Sequence, residues 1–254
     1  MNSNEDSMQK IFSVIEYMSD MGRKLSIQEI SAALDMSTAT VHRILTGLKG
    51  LGYVEQHTNK QYYLTYKLYA LSGDVINRDG AIDRIIPIMN YFSMRYGCEV
   101  GLTVFDGASI IHIISVGENI SFGMQPTPGQ VCPVYCTAAG KFHLAQMEQD
   151  ALMEWIAKAR IVPHTRNTII DRDELLQEIV RTRSQGYGVA VGELYDMLAS
   201  VAFPIRDGGR RITGTINLNF SVEKFRTQMS QTFVQEVEAV SYTHLRAHET
   251  PEHL

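Results

Sequence analysis

The stretch "MSTATVHRILTGLKGLGYVEQ", from Met36 to Gln56, decides the first half of the fold. Its apolar side chains recur at the spacing of a helix with one buried face, at Val41, Ile44, Leu45 and Leu48. Ser37 can cap the first turn of this helix, and Gly52 ends it. The pattern predicts a short helix whose other face is polar, opens with hydroxyl groups and is free to bind a partner.

The flanking segments predict how this helix is held. Upstream, "LSIQEISAALDM" predicts another short helix, because Ser26 and Glu29 have the spacing of a capping box. A tight turn joins the two helices, and a longer apolar helix over 8–21 precedes them. Downstream, "YVEQHTNKQYYLTY" alternates around a polar turn near Asn59, which predicts a β-hairpin. This order is typical of a winged helix-turn-helix, here over residues 1–65.

The predicted unit carries the chemistry that double-stranded DNA requires. A helix in the major groove presents its first residues to base edges, where hydroxyl and guanidinium groups contact bases or phosphates. Between residues 21 and 67 there are six basic and three acidic side chains, a local charge of +3 in a chain of net charge −5. The predicted DNA-binding residues are Ser26, Ser37, Thr38, Thr40, His42, Arg43, Thr46 and, at the wing tip, Lys60.

The composition argues against several other classes of protein. A net charge of −5 over 254 residues excludes a polybasic nucleic-acid binder, so a DNA contact has to come from a local patch. No apolar run reaches the roughly 18 residues of a membrane span, and the acidic N-terminus lacks the apolar segment of a signal peptide. Three cysteines are too few for a disulfide framework. We therefore expect a cytoplasmic protein with reduced thiols and no membrane partner.

The second half of the chain has an α+β pattern. A linker helix is predicted over 66–80, and the helix after it contains Pro87, which should kink it unless the helix begins nearby. Apolar strand pairs surround Asp-Gly turns at 106–107 and 207–209, with helices between them. Antiparallel hairpins packed with helices predict a separate α+β domain over 81–240.

Three further expectations concern the end of the chain. Gly186 and Gly188 are expected to flank a turn, and one last amphipathic helix should begin near Lys224. Residues 241–254, "SYTHLRAHETPEHL", carry three histidines and no apolar stripe. We interpret this segment as a non-native tail.

Two blocks of the sequence resemble one known family. They are the predicted helix-turn-helix, "LSIQEISAALDMSTATVHRILTGLKGLGYVEQ", and "GQVCPVYCTAAGKFHLAQM" together with "GYGVAVGELYDMLASVAFPIRDGG". The chain is similar, over about residues 8 to 240, to the isocitrate-lyase-regulator (IclR) family of bacterial transcription factors. The resemblance implies a GAF-like effector domain at 81–240. It also implies operator DNA as partner, assembly into homodimers or homotetramers, and a carboxylic acid or aromatic metabolite as effector.

The resemblance also implies an effector pocket between the sheet and the loop before the "TAAGK" helix. The residues it suggests are Met124, Cys136, Thr137, Ala138, Ala139, Ser200, Asn217 and Asn219. Tyr135 replaces a common histidine and Ala190 replaces an aspartate of some members, so the effector class stays open. Asn217 and Asn219 also fit ordinary solvent-side alternation along a strand.

The sequence leaves three alternatives open: a metal site, an enzyme and a sensor that binds protein. Cys132, Cys136 and His143 could suggest a metal site, although zinc needs four ligands at suitable spacing. Cys136 with His143 or His112 could suggest a nucleophile pair of an enzyme on the GAF-like domain. A third reading is a ligand sensor whose winged helix binds protein instead of DNA. We predict no catalytic residues, no metal and no cofactor, and a metabolite-responsive transcriptional regulator, a repressor.

Overall fold

The computed structural model describes residues 3–76, 81–106, 109–117, 126–206 and 211–243. The chain divides into two compact units, Met1–Asp79 and Gly80–Leu254. Helices form the larger part of the first unit and an antiparallel sheet is the centre of the second, so the predicted α+β class is confirmed. The predictions for Met124, for the 207–209 turn and for residues 244–254 lie outside the described residues.

The first unit is a helix-turn-helix with a two-stranded wing. Its elements are α1 (Ser3–Met21), α2 (Ile27–Leu34), α3 (Thr38–Gly50), β1 (Val54–Gln56), β2 (Tyr62–Leu64) and α4 (Lys67–Ile76). The apolar stripes of α1, α2 and α3 meet in one core around Val14, Leu45 and Val54, each fully buried. The first helix begins five residues before the predicted Met8, at Ser3.

The second unit is a sheet covered by helices on both faces. Its elements are α5 (Ala81–Tyr96), β3 (Glu99–Phe105), β4 (Ile110–Val116), β5 (Val131–Cys132), α6 (Ala138–Ala145), α7 (Gln149–Lys158), α8 (Arg172–Gln185), β6 (Gly188–Val191), β7 (Leu198–Arg206), β8 (Ile212–Ser221), α9 (Val222–Gln228) and α10 (Gln231–Thr243). The strand order is β5-β4-β3-β8-β7-β6, and every neighbouring pair is antiparallel.

The alternation of side chains along the strands separates two apolar cores. On one face, Val100, Leu218 and Val201 pack with α5 and α10. On the other face α6 lies against β6 and β7, and it forms a second core with α7 and α8. This second face also carries the polar side chains that the candidate site uses.

The local predictions for this part of the chain hold in part. Gly186 ends α8 in the left-handed conformation and Gly188 begins β6, so the two glycines flank a turn as predicted. The last helix is two helices, since the chain leaves the helical conformation at Met229 and Ser230 Oγ accepts from Phe233 N–H, at 3.2 Å, as α10 begins. Pro87 lies inside α5, six residues after the helix begins at Ala81.

Two glycines allow α6 to approach its neighbours at backbone distance. A Cβ on Gly140 would stand 2.1 Å from the carbonyl oxygen of Val134, and a Cβ on Gly188 would stand 2.0 Å from that of Ala138. No side chain fits at such distances. Glycine at position 140 therefore lets α6 lie against the segment at Val134, and glycine at position 188 lets α6 pack on β6.

We expect Gly140→Ala to lower the free energy of unfolding by at least about 3 kcal/mol, because the added methyl group meets backbone that cannot move aside. Urea denaturation followed by far-UV circular dichroism measures this change. The matched control is Gly47→Ala in α3, where no atom lies within 4 Å of the new Cβ. That change should stabilise the helix by about 0.5–1 kcal/mol. Equal stability of the two variants would contradict the packing of α6.

Candidate functional site

A three-residue turn sets the angle between α2 and α3. Asp35 ends α2 in the left-handed conformation, at φ 50°, and Met36 N–H donates to Ser31 O at 3.1 Å. Ser31 Oγ in turn donates to Met36 O, and Ser37 caps α3 by accepting from Thr40 N–H at 3.1 Å. These contacts fix the turn, so α3 is presented at a defined angle, as the predicted helix-turn-helix requires.

The helix α3 has one buried and one exposed face, as predicted. Val41, Ile44, Leu45 and Leu48 are buried. The predicted DNA-binding residues lie on the remaining surface, where Ser37, Thr38, His42, Arg43 and Thr46 are exposed and Thr40 is half-buried. The structure therefore brings six of the eight predicted residues together on one accessible helix surface.

A shallow groove of about 210 Å³ separates the side of α3 that carries Arg43 from α1. Thr40, Arg43 and Gly47 of α3 line it together with Lys10 of α1. Lys10 pairs with Asp6 at 2.5 Å, and both side chains are exposed. Arg43 therefore lines the same groove as a second basic residue, Lys10. The sequence pattern does not indicate that these two residues are close.

The other two predicted DNA-binding residues, Lys60 and Ser26, differ in how accessible their side chains are. Lys60 is exposed in the hairpin turn, where its N–H donates to His57 O at 3.0 Å and its φ is 65°. Ser26 is half-buried, and its hydroxyl donates to Glu29 Oε2 at 2.8 Å within a complete capping box. Hydrogen bonds from Ser26, with Arg23 alongside, lower the pKa of Glu29 to about 2. Ser26 therefore caps α2, and a phosphate would have to displace Glu29 to reach its hydroxyl.

In the second unit a cavity of about 390 Å³ lies on the sheet face that carries α6. Its floor is a row of polar residues in register across three strands, because Glu99 pairs with Asn219 and Asn219 pairs with Ser200. Ser200 Oγ donates to Asn219 Oδ1 at 2.6 Å. Asn217, in the next row, is buried and donates to Thr103 Oγ1 at 3.1 Å. Solvent-side alternation does not explain Asn217 and Asn219, since both line the cavity.

The first turn of α6 forms another wall of this cavity. Thr137, Ala138 and Ala139 line it. Thr137 Oγ1 accepts from Gly140 N–H at 3.2 Å and donates to Pro133 O at 2.7 Å, so the cap itself is anchored. The N–H groups of a first helical turn have no partner within the helix, and together with the helix dipole they favour an anionic group.

Cys136 does not line the cavity, contrary to the prediction. Its side chain is 1% exposed and belongs to the apolar core beneath α6, because the chain turns inward just before the helix cap. Ala190 is buried in the same core. Tyr135, at the other position where the sequence departs from the family, hydrogen-bonds Val162 O at 3.0 Å and His164 Nε2 at 2.9 Å, so it ties down a neighbouring loop.

Several cavity residues were missed from the sequence. Glu99, His112, Gln130 and Tyr195 all line the cavity. One sign was available for Glu99, a charged residue inside the apolar run "CEVGLTVF" and 5% exposed in the structure. The sequence indicates His112 only as a candidate partner of Cys136 in a nucleophile pair. Its position follows from a β-bulge that shifts the register between Leu102 and Thr103, which no sequence pattern indicated.

A buried ion pair fixes the loop that closes the cavity. Lys141 Nζ, 1% exposed, donates to Glu193 Oε1 at 2.5 Å and to Val189 O at 3.2 Å. Burial raises the pKa of Glu193, an effect that Lys141 opposes. Thr168 Oγ1 also donates to Glu193 O at 2.7 Å. The residues that follow Glu193, from 194 to 198, line the cavity, so this pair positions one of its walls.

The thiols lack the environment of a nucleophile. Burial raises the pKa of Cys98 and of Cys136 to about 12, and it raises that of Cys132 as well. Reactive cysteines instead have a lowered pKa and a positive neighbour. Among the described residues no hydrogen bond joins Cys136 to a histidine, and no group of three or more metal-ligating side chains could hold a metal ion.

Comparison with known proteins gives the family. The model of the bacterial transcriptional regulator IclR C-terminal domain matches residues 74–243, and that of the IclR helix-turn-helix domain matches residues 7–58. The chain belongs to the IclR family. It is a transcriptional regulator with a DNA-binding helix-turn-helix and an effector-binding domain.

Curated relatives carry the same architecture over most of their length. The HTH-type transcriptional regulator KdgR of Escherichia coli (strain K12) is 28% identical over 229 residues, which cover 90% of this IclR protein and 87% of KdgR. The Pca regulon regulatory protein of Pseudomonas putida is 27% identical over 230 residues, 90% of this chain and 79% of that protein. These relatives are named as regulators, not as enzymes.

Solved structures share the fold. A putative IclR regulator from Silicibacter sp. TM1040 superposes with a TM-score of 0.79 at 18% identity, over 94% of each chain. An IclR homologue from Microbacterium hydrocarbonoxydans, complexed with 4-hydroxybenzoate, superposes with a TM-score of 0.76 at 17% identity, over 95% of this chain and 99% of that one. In the described part of this IclR protein, helices are too short or too polar to cross a membrane.

We expect acid to destabilise this IclR protein through His143 of α6. Burial lowers the pKa of His143 from 6.5 to about 4, and its Nε2 has no hydrogen-bond partner among the described residues. The unfolded chain therefore binds the proton more tightly, and the free energy of unfolding should fall by about 3 kcal/mol as pH drops through that interval.

Urea denaturation at a series of pH values measures this dependence. His143→Leu should remove the histidine's share of the loss, because an apolar side chain has no proton to bind. His42→Gln, which replaces an exposed histidine of α3, should retain it. An unchanged pH dependence in His143→Leu would contradict the assignment.

Proposed function

We propose that this protein represses transcription by binding operator DNA, and that a small metabolite in the cavity of the second unit changes its operator affinity. The observation that carries the proposal is the surface of α3. A capped, tightly held helix presents Thr38, His42 and Arg43 to solvent while its apolar side chains are buried. Such a surface has no role in the core of its own unit and suits the DNA major groove.

The DNA contacts divide by chemistry. Arg43 is the residue proposed to read a base edge, because its guanidinium can form two hydrogen bonds to guanine. Thr38, Thr40, His42 and Thr46 lie on the same helix surface and contact bases or backbone. Lys60 in the wing turn reaches a phosphate, which fixes register without reading sequence. Ser26 contributes through its cap of α2.

The effector is proposed to be a carboxylic acid or an aromatic metabolite. The first turn of α6 offers unpaired N–H groups to an anion, and the polar floor offers Ser200, Asn217 and Asn219. The 4-hydroxybenzoate of the Microbacterium hydrocarbonoxydans homologue combines both chemical features. A volume of about 390 Å³ accommodates a molecule of this size.

The protein is proposed to act in the cytoplasm as a homodimer or homotetramer. Apolar side chains are exposed on α1 and α4, among them Phe12 at 60%, Tyr69 at 71% and Val75 at 68%. Exposed apolar clusters mark interaction surfaces, and a pair of recognition helices would read two half-sites. By its place in the chain, α4 is the linker through which effector binding would change the spacing of the recognition helices.

We expect Arg43→Ala to weaken operator binding by about 1–3 kcal/mol, or about 5- to 150-fold in Kd, if Arg43 reads a base. Fluorescence anisotropy with fragments of the promoter region measures this, repeated over a range of salt concentrations. The wild-type Kd should rise with salt, with a log–log slope near 0.9 per phosphate contact.

The matched control is Lys158→Ala, an exposed lysine on α7 that pairs with Glu154 and lies outside the first unit. Its operator affinity should equal that of the wild type. Unchanged affinity in Arg43→Ala removes Arg43 from the DNA contacts. A wild-type protein that binds no promoter fragment, at low salt and with or without candidate effectors, would overturn the regulator itself.

We expect Ser200→Phe to abolish the response to effector while operator affinity without effector stays the same. The larger side chain fills the cavity between the floor and α6, and it is confined to the second unit. Anisotropy titrations with and without a metabolite that releases the wild-type protein measure both properties. A variant that still responds normally would show that the effector binds elsewhere.

A further inference from the structure

One end of the cavity contains a buried acidic side chain that the proposed function does not use. Glu99 on β3 is 5% exposed and lines the cavity floor. Ser115 Oγ donates to Glu99 Oε1 at 2.7 Å. Among the described residues no ion pair includes Glu99, and no lysine or arginine lines the cavity. A buried carboxylate costs free energy unless a positive group or several donors face it.

The hydrogen bonds of Ser115 determine what His112 presents to the cavity. A hydroxyl has one hydrogen, and Ser115 gives it to Glu99. His112 Nε2 stands 3.2 Å from the same Ser115 oxygen, so Nε2 carries a hydrogen and donates. Burial lowers the pKa of His112 and so favours the neutral ring. Its Nδ1 is then an acceptor, and His112 lines the cavity beside Glu99.

Gly101 keeps this end of the cavity open. It lies between Glu99 and Thr103 on the same face of β3. A Cβ at Gly101 would stand 3.3 Å from His112 Cε1 and 3.6 Å from Ser115 Oγ. Without that Cβ, a ligand atom has access to the floor directly between the carboxylate and the imidazole.

The sheet floor and the α6 wall of the cavity therefore have opposite chemistry. The first turn of α6 offers hydrogen-bond donors, while Glu99 and His112 offer acceptors and a negative charge. From this we infer that the effector is an amino-carboxylic acid, with its carboxylate at the first turn of α6 and its ammonium group at Glu99 and His112. The inference rests on the proposed effector site and names the ligand class that this site takes.

An ammonium group fits this end better than a hydroxyl group does. A hydroxyl can donate one hydrogen and would satisfy either Glu99 or His112, whereas an ammonium donates three and supplies the positive charge that the wall lacks. A second carboxylate would be repelled by Glu99. The structure thus selects against dicarboxylic acids and against acids with an apolar far end.

The test compares acids that differ only at the far end. One set contains benzoate and its para-hydroxy, para-aminomethyl and para-carboxy derivatives. The other set contains pentanoate and its derivatives that carry a hydroxyl, an aminomethyl or a carboxyl group on the carbon farthest from the carboxylate. Calorimetry and thermal shift on the full chain measure their binding. In at least one set the amine should bind about 10- to 100-fold more tightly than its apolar, hydroxy and dicarboxylic counterparts, as a charged hydrogen bond allows.

Glu99→Gln keeps the size of the side chain and its bond from Ser115 but removes the charge. This variant should lose the preference for the amine in both calorimetry and thermal shift. The melting temperature of the free protein should fall by no more than a few degrees. The matched control is Glu154→Gln, which makes the same change at an exposed acid of α7 outside the cavity and should keep the preference.

Three outcomes overturn the inference. The first is a wild-type protein that binds neither amine, or that binds each amine no better than its counterparts. The second is a Glu99→Gln variant that keeps the preference. The third is an apolar, hydroxy or dicarboxylic member that releases operator DNA from the wild type and not from Ser200→Phe, and in that case the proposed regulator still stands.

Discussion

The second unit depends on the close backbone packing of α6, which two glycines permit. All eight residues of α6 are buried, so the helix cannot be moved outward without opening the core. Gly140 lets it pass beneath Val134, and Gly188 lets β6 pass beneath Ala138. A helix buried on every side has to satisfy most of its polar groups inside the protein. Lys141 is therefore paired with Glu193, and the cap at Thr137 is closed by Pro133.

This packing places opposite chemistry at the two sides of one cavity. The first turn of α6 and the strands β3, β8 and β7 line the same cavity because α6 is seated so closely on the sheet. The floor is polar because one residue in two along each strand points to this face. Strand register, rather than nearness in sequence, assembles Glu99, Asn219 and Ser200 into a single row.

The sequence predicted the parts of the fold that depend on local patterns. Val41, Ile44, Leu45 and Leu48 indicated α3, and the capping box at Ser26 has the geometry expected from its spacing. The predictions failed where contacts between residues that are distant in sequence determine the position of a side chain. Nothing local distinguishes Cys136, which points into the core, from Thr137, which lines the cavity. The position of His112 depends on a bulge between two strands, and a single strand read alone cannot show it.

Under the proposed function, the cavity has to supply only a small free energy to change operator affinity. An effector shifts the equilibrium between two states by the difference in its affinity for them, and a useful coupling is about 1–3 kcal/mol. One hydrogen bond to a charged group contributes about 1.5–3 kcal/mol. A single contact at Glu99 or at the first turn of α6, made in one state and lost in the other, is therefore enough. Because the loop after Glu193 forms a cavity wall and is tied to α6 through Lys141, a small shift of α6 would change the donors and this wall together.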